Sequence, residues 1–475
     1  MERAEKIFYR LMAVVFVLRL LLIAFTGLTN DEAYYWLWSN HLQLSYFDHP
    51  PAIAYFLKMF TLVLGSSAFS VHFTALFFST LFIFILFRWL KEVYGAETAC
   101  FGAVTVLFTP IFFIGGTVLS PDAILGVFLV ITVMSVHKAL AGGKGHYWYY
   151  AGIAAGLGAL TKYVMFLIPA GIFLWLIFSK TDRRWLKRKE PYIFFIIMLA
   201  AFLPVIIWNQ KNGWSSFNFQ FASRHLPAFS IVKPLRFIAV QLLHVSPVAY
   251  FACWVSFYKM FEKGIAPGRD RKAGYLFCVF FPLAGVFTAL SFFVDVLSHW
   301  PVYGYVGALA FLPAVLKNKS RFFKVNLSAS VLISAVFVFH IFYPLARITK
   351  DPTDDLYGWK QVAEEVLRIK TQLPPDSFMI CDRYETGGQL SFYTKGDVYI
   401  VHNNVTPWLD PEKLKGKDAL YVNHSRYFRG PQFNFRAKKF SFIKKIDIFR
   451  SGRLARTFYV YRCENFMGLK KRKKN

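Results

Sequence analysis

A polytopic α-helical membrane protein with a small C-terminal α/β soluble domain is the fold class this sequence predicts, on three observations. Apolar stretches of about 20 residues, enough to cross ~30 Å of hydrocarbon, recur through residue 343. The 475 residues are 56% hydrophobic and include 54 Phe, too apolar for a soluble chain of this size. From residue 344 onward the composition turns polar, and short period-2 runs replace the long apolar ones.

The first span, 7–28, is too long for a signal-peptide core and lacks a small-residue cleavage site, so it reads as a retained signal anchor. Further spans are expected at 70–90, 98–116, 121–140, 147–160, 163–179, 191–208, 237–258, 274–294, 300–316 and 323–343, about eleven in all. The pair 147–160 and 163–179 is short and could be tilted or re-entrant. Lys and Arg collect at the N-terminus, at Arg88 and Lys91, and in "KTDRRWLKRKE" (180–190), "KMFEKGIAPGRDRK" (259–272) and "KNKSRFFK" (317–324). All of these fall on one side if the N-terminus is cytoplasmic, which places the C-terminal part outside. The net charge of +28 therefore speaks for topology and anionic lipid, not for nucleic acid.

The first outer loop is not simply hydrophilic. "DEAYYWLWSNHL" and "PPAIAYFLKMFTLVLG" predict two interfacial helices joined by the proline-stiffened turn "SYFDHPP". In the C-terminal part, "DDLYGWKQVAEEVLRIKTQL" (354–373) predicts an amphipathic helix, and "FMICD", "DVYIVH", "DALYVNH" and "TFYVYRC" predict strands. The domains are thus 1–343 in the membrane and 344–475 outside it, ending in a basic tail. Five cysteines without a CxxC pair make neither a metal knuckle nor a redox motif. Cys100, Cys253 and Cys278 sit in apolar spans, and pairing of Cys381 with Cys463 stays open.

With this topology the titratable residues sort to the outer face: Asp31, Glu32, Asp48 and His49 in the first loop, Asp122 in "SPDA", Lys162 in "TKY", Arg224 and His225 in "SRH", and His299 in "DVLSHWP". Such a distribution points to a reaction centre at the membrane–water boundary, fed from the bilayer.

Taken together, "NDEAYYW…LSYFDHPP", "SPDA", "TKY", "SHWPVYGY" and "DPTDDLYGW" resemble the bacterial relatives of protein O-mannosyltransferases, glycosyltransferase family 39 in the C-type superfamily. That group includes the RgtA/B/C/D-like transferases and is related to the lipid A aminoarabinose transferase. The resemblance runs to residue ~360 and implies an integral-membrane transferase using a polyprenyl-phosphate-linked sugar. It also implies that Asp31 lies at the acceptor site and that Asp48 is the second acidic motif. Where the aminoarabinose branch has Glu-Lys-Pro-Pro, this chain has Asp48-His49-Pro50-Pro51, and Tyr34 stands where that branch has Arg.

Transfer needs a base for the acceptor hydroxyl and positive charge at the leaving phosphate. Asp31 is the expected base, with Asp48 the second catalytic carboxylate. Lys162, Arg224 and His225 are the phosphate or metal candidates, and Glu32, His49, Asp122 and His299 are further substrate contacts. A divalent metal would find suitable ligand types in Asp48, His49 and His225, although no HExxH-like spacing supports one. Each residue also has a structural role open to it. Asn30 and Asp31 suit a helix N-cap, Asp48 a turn, Ser120-Pro121 a helix start, Lys162 a span end, and His225 and His299 a structural hydrogen bond.

The expected function is an inverting transferase on the outer face of the inner membrane, acting on a glycolipid such as lipid A or its core, or on a protein. The alternative is a transporter or flippase of lipid-linked sugars. It would call for internal repeats and midplane charges, whereas the sequence shows acids on one face. Asp31 and Asp48 are expected to converge beside a lipid-accessible cavity.

Overall fold

The computed structural model describes residues 2–220, 228–265, 270–316, 319–346, 348–402, 405–426 and 433–470. The chain divides into two compact units. One comprises Met1–Ala24, Leu44–Ile53 and His72–Val338; the other comprises Phe25–Gln43, Ala54–Val71 and Phe339–Asn475. The polar C-terminal part and two pieces of the first loop fall in one unit.

Among the described residues, six helices are long and apolar enough to cross a membrane: Arg3–Phe25, Ala68–Tyr94, Pro121–Gly142, Glu190–Lys211, Arg271–Leu290 and Lys319–Phe342. Two further stretches are broken. Ala96–Phe108 and Pro110–Thr117 meet at 75°, and Val232–Val245 and Pro247–Gly264 at 105°. Each break falls where a proline, Pro110 or Pro247, starts the second piece, because proline cannot continue the hydrogen-bond ladder of the first. The expected spans 147–160, 163–179 and 300–316 are His146–Ala159, Tyr163–Phe178 and Val302–Ala314. At ~1.5 Å per residue these are too short for ~30 Å of hydrocarbon. Among the described residues the count by length and composition is six, or up to eight with each bent pair taken as one, so the eleven expected spans are not confirmed.

In the first unit, the short helix Pro110–Phe113 ends on carbonyls that buried Arg19 caps, donating from Nε to the Phe113 carbonyl at 2.9 Å and from Nη2 to that of Phe112 at 2.5 Å. A buried guanidinium is costly in an apolar medium, and this use explains its presence. Close helix packing rests on small residues. A Cβ at Gly171 would overlap the backbone of Cys278 and Val279, so the helices Leu167–Phe178 and Arg271–Leu290 meet backbone to backbone there.

The second unit contains a five-stranded sheet, built from β1 (Phe378–Cys381), β2 (Val398–Ile400), β3 (Ala419–His424), β4 (Phe435–Arg450) and β5 (Arg453–Leu469), in the order β2-β1-β3-β5-β4. β1 runs parallel to β2 and β3, and β5 runs antiparallel to β3 and β4. The parallel β1–β2 pair requires a crossover, which the helix Tyr384–Thr394 provides. Ile380, Tyr399, Tyr421, Phe435 and Phe466 form one core of this sheet. The amphipathic helix covers Trp359–Lys370 and buries Trp359, Val362, Val366 and Ile369. Cys381 and Cys463 are buried free thiols. Burial raises both above the ordinary range, that of Cys463 to about 12, which keeps them protonated and unreactive.

The "DPTDD" segment is an ion-pair hub. Arg450 and Arg453 reach Asp354 at 2.8 and 2.7 Å, Arg426 reaches Asp355 at 2.6 Å, and His340 meets Asp351 at 2.9 Å. A motif in the resemblance thus ties the β4–β5 hairpin to residues 351–355.

Candidate active site

In the second unit, the helix Asn30–Asn40 opens with a reciprocal cap. The Thr29 hydroxyl accepts from the Glu32 backbone N–H at 3.3 Å. Glu32 Oε2 accepts in return from the Thr29 N–H at 2.9 Å and its hydroxyl at 3.0 Å. The N-cap is Thr29, not Asn30 or Asp31, and the carboxylate of Glu32 is fully buried inside the cap. Asp31, one residue earlier, is exposed and accepts a hydrogen bond from the Tyr384 hydroxyl at 3.0 Å.

Tyr384 comes from the crossover helix, which packs against Asn30–Asn40. Its ring lies 4.7 Å from that of Tyr34, and Gln389 donates to the Leu28 carbonyl at 2.9 Å and to Asn30 Oδ1 at 3.2 Å. A Cβ at Gly388 would stand 2.8 Å from the Tyr34 nitrogen, so only glycine permits this approach. Nothing in the sequence signals the partnership of Asp31 with Tyr384, because the two lie 353 positions apart.

In the first unit, the "SYFDHPP" turn closes on itself through the Tyr46 N–H and the His49 carbonyl at 3.2 Å. Ala52 N–H anchors it to the Leu160 carbonyl at 2.9 Å. Gln220 donates to the Asp48 carbonyl at 2.5 Å. Asp48 and His49 are half-buried. The helix Pro121–Gly142 starts with Ser120 as N-cap, its hydroxyl accepting from Ala123 N–H, and with Pro121 in the first position, as the sequence predicts.

Asp122 follows and forms the centre of a polar group. Lys162 Nζ donates to its Oδ1 and Oδ2 at 2.9 and 2.8 Å, and His299 Nε2 stands 3.8 Å from Oδ2. His49 lies near enough to act on it electrostatically. The Tyr303 hydroxyl fixes the Asp122 carbonyl. The side chains of Lys162 and Asp122 are only 10% and 14% exposed, whereas His299 is 42% exposed and forms the open side. The Tyr163 hydroxyl meets Ser216 Oγ at 2.8 Å, and the charge of Asp48 reaches this phenol. Five expected residues, Asp48, His49, Asp122, Lys162 and His299, thus belong to one compact unit, while Asp31 and Glu32 belong to the other. Arg224 and His225 lie outside the described residues. Among the described residues, no three His, Cys, Asp or Glu side chains are grouped to hold a metal ion.

Residues 48–208 match the family model described as dolichyl-phosphate-mannose-protein mannosyltransferase. Over 375 residues, covering 77% of this chain and 77% of the relative, the sequence is 24% identical to the lipid A galacturonosyltransferase RgtD of Rhizobium johnstonii. In fold it is similar to ArnT of Cupriavidus metallidurans bound to undecaprenyl phosphate, with TM-score 0.65 and 15% identity over 96% of this chain and 97% of that one. The apo state of that ArnT gives 0.63 at 14% identity over the same shares. The resemblance drawn from the motifs is borne out. The family model and the relative both name glycosyltransferases, and the ArnT structure shares the fold of this multi-pass membrane protein.

Proposed function

We propose that the chain is an inverting glycosyltransferase moving a sugar from a polyprenyl-phosphate donor to a glycolipid of the lipid A kind. The reaction takes place at the outer face of the bacterial inner membrane. Support for the acceptor class comes from RgtD, a lipid A galacturonosyltransferase by name, and support for the donor from ArnT, captured with undecaprenyl phosphate. The observation that carries the reading is the division of labour at Thr29–Glu32. Thr29 and Glu32 complete the helix cap between them, and the Asp31 carboxylate is exposed beside that cap and accepts from Tyr384.

In the proposed step the acceptor hydroxyl gives its proton to Asp31 and its oxygen bonds to the anomeric carbon. The carbon–oxygen bond to phosphate breaks, and both its electrons leave with polyprenyl phosphate. Displacement from the opposite face inverts that carbon. Tyr384, donating to Asp31, positions the carboxylate. An ammonium has three N–H donors, and Asp122 accepts two from Lys162. Within the first unit, Lys162 with His49 and His299 is proposed as the group that would meet a phosphate.

Purified protein in detergent, given donor and acceptor without any membrane gradient, should release polyprenyl phosphate and form a product of inverted anomeric configuration. A retained configuration, or donor movement without release, would overturn the reading. The proposed orientation has the N-terminus in the cytoplasm and residues 344–475 outside. It requires that a Lys187→Cys variant in intact cells resist a membrane-impermeant thiol reagent.

A further inference from the structure

We propose that the loop 177–187 of the first unit forms a binding site for the headgroup of an anionic phospholipid, separate from the transferase chemistry. Past the helix Leu167–Phe178, the chain winds into a single 3-10 segment, Asp182–Lys187, before Glu190–Lys211 begins. A concavity of about 490 Å³ opens there, lined by Ile177, Lys180, Arg183, Arg184, Leu186 and Lys187. Four of these six residues are cationic.

Their charge is uncompensated because the loop's acids are engaged elsewhere. Asp182 is fully buried and accepts from Arg271 Nε at 2.8 Å and Trp175 Nε1 at 3.1 Å. Glu190 accepts from Arg188 Nε at 3.2 Å. Among the described residues, none of Lys180, Arg183, Arg184 and Lys187 pairs with a carboxylate. Arg183 is instead fixed at the rim by donating to the Ile177 carbonyl at 2.9 Å, and the Tyr192 hydroxyl pins the Leu186 carbonyl at 2.8 Å.

The occupant follows from what surrounds the concavity. Its apolar lining is Ile177, 54% exposed at the end of the helix Leu167–Phe178, and Leu186, a flank suited to acyl chains. A soluble anion would use the charges and leave that flank unsatisfied. A phospholipid uses both, its phosphate among the four cations and its chains along the helices.

Native mass spectrometry of the full chain, released from detergent after titration with single lipids, tests this. Phosphatidylglycerol and cardiolipin should remain bound where phosphatidylcholine does not. The Arg184→Ala/Lys187→Ala double variant alters exposed residues and should bind them about thirtyfold more weakly, about fivefold for each charge removed. Lys438→Ala/Lys439→Ala, which removes two exposed cations from β4, should leave binding unchanged. The proposal is overturned by equal retention of phosphatidylcholine, by unchanged binding in the loop variant or by equal loss in the β4 variant. Inorganic pyrophosphate binding as tightly as the lipids would overturn it too, by making this a soluble-anion site.

Discussion

Two helix starts in this molecule obey the same local rule and end with opposite electrostatics. At Asn30–Asn40 and at Pro121–Gly142 a hydroxyl residue, Thr29 or Ser120, takes the N-cap, and an aspartate, Asp31 or Asp122, occupies the second helical position. Both carboxylates gain from the N-terminal end of the helix dipole. Asp122, however, is enclosed and holds the ammonium of Lys162 through both oxygens, whereas Asp31 is exposed and meets a neutral phenol. An ion-paired carboxylate is a poor proton acceptor. On the proposed function, Asp122 does scaffold work and Asp31 base work, a distinction that the motifs "NDE" and "SPDA" do not contain.

The sharpest way to break this comparison is at the ion pair. Lys162→Met strands an enclosed carboxylate and should cost roughly 3 kcal/mol of stability, with loss of transfer. The double variant Asp122→Asn/Lys162→Met should be more stable than Lys162→Met alone in thermal unfolding. Additive losses would mean that the two side chains do not act as a unit. Tyr384→Phe removes one donor to a charged acceptor and should slow transfer about tenfold. It should also move the acidic limb of the pH–rate profile to higher pH, since the lost hydrogen bond favours the ionised form. An unmoved limb would make Tyr384 a packing residue.

Smaller effects sharpen the folding side. Glu32→Ala opens the cap and should cost about 1 kcal/mol, whereas Glu32→Gln keeps an acceptor and should be near neutral in unfolding experiments. His424 is buried, and that burial, together with Arg456, Arg426 and Arg383, holds it neutral well below the usual imidazole range. A depressed histidine leaves stability intact above its unfolded value of ~6.5. Below that value the unfolded chain binds the proton first and stability falls, by just under ~1 kcal/mol at pH 6. Denaturation of the full chain at pH 7.5 and pH 6 should show this slope, and His424→Asn should flatten it.

Much of this was legible in the sequence because it is written in local chemistry. The apolar runs located the helices, Ser120-Pro121 located a helix start, and "FMICD", "DVYIVH", "DALYVNH" and "TFYVYRC" located β1, β2, β3 and β5. β4 escaped because Lys438, Lys439, Lys444 and Lys445 break its alternation, a pattern suited to the sheet edge it forms. The helix Tyr384–Thr394 escaped because Gly387 and Gly388 read as breakers, while the packing against Tyr34 demands a glycine at 388. Among site residues, the acids and Lys162 were visible as types out of place among apolar residues. Which acid is buried, which is paired and which is exposed depends on residues far along the chain, and no local pattern records that.

The central claim is that Asp31, and not its neighbour Glu32, is the carboxylate available for chemistry. Single-turnover transfer by purified Asp31→Asn and Glu32→Gln, measured side by side with donor saturating, tests it most directly. The account predicts a fall of about 10²–10⁴-fold for Asp31→Asn and a rate close to that of the parent chain for Glu32→Gln. Near-parental transfer by Asp31→Asn, or a larger loss in Glu32→Gln, would contradict it.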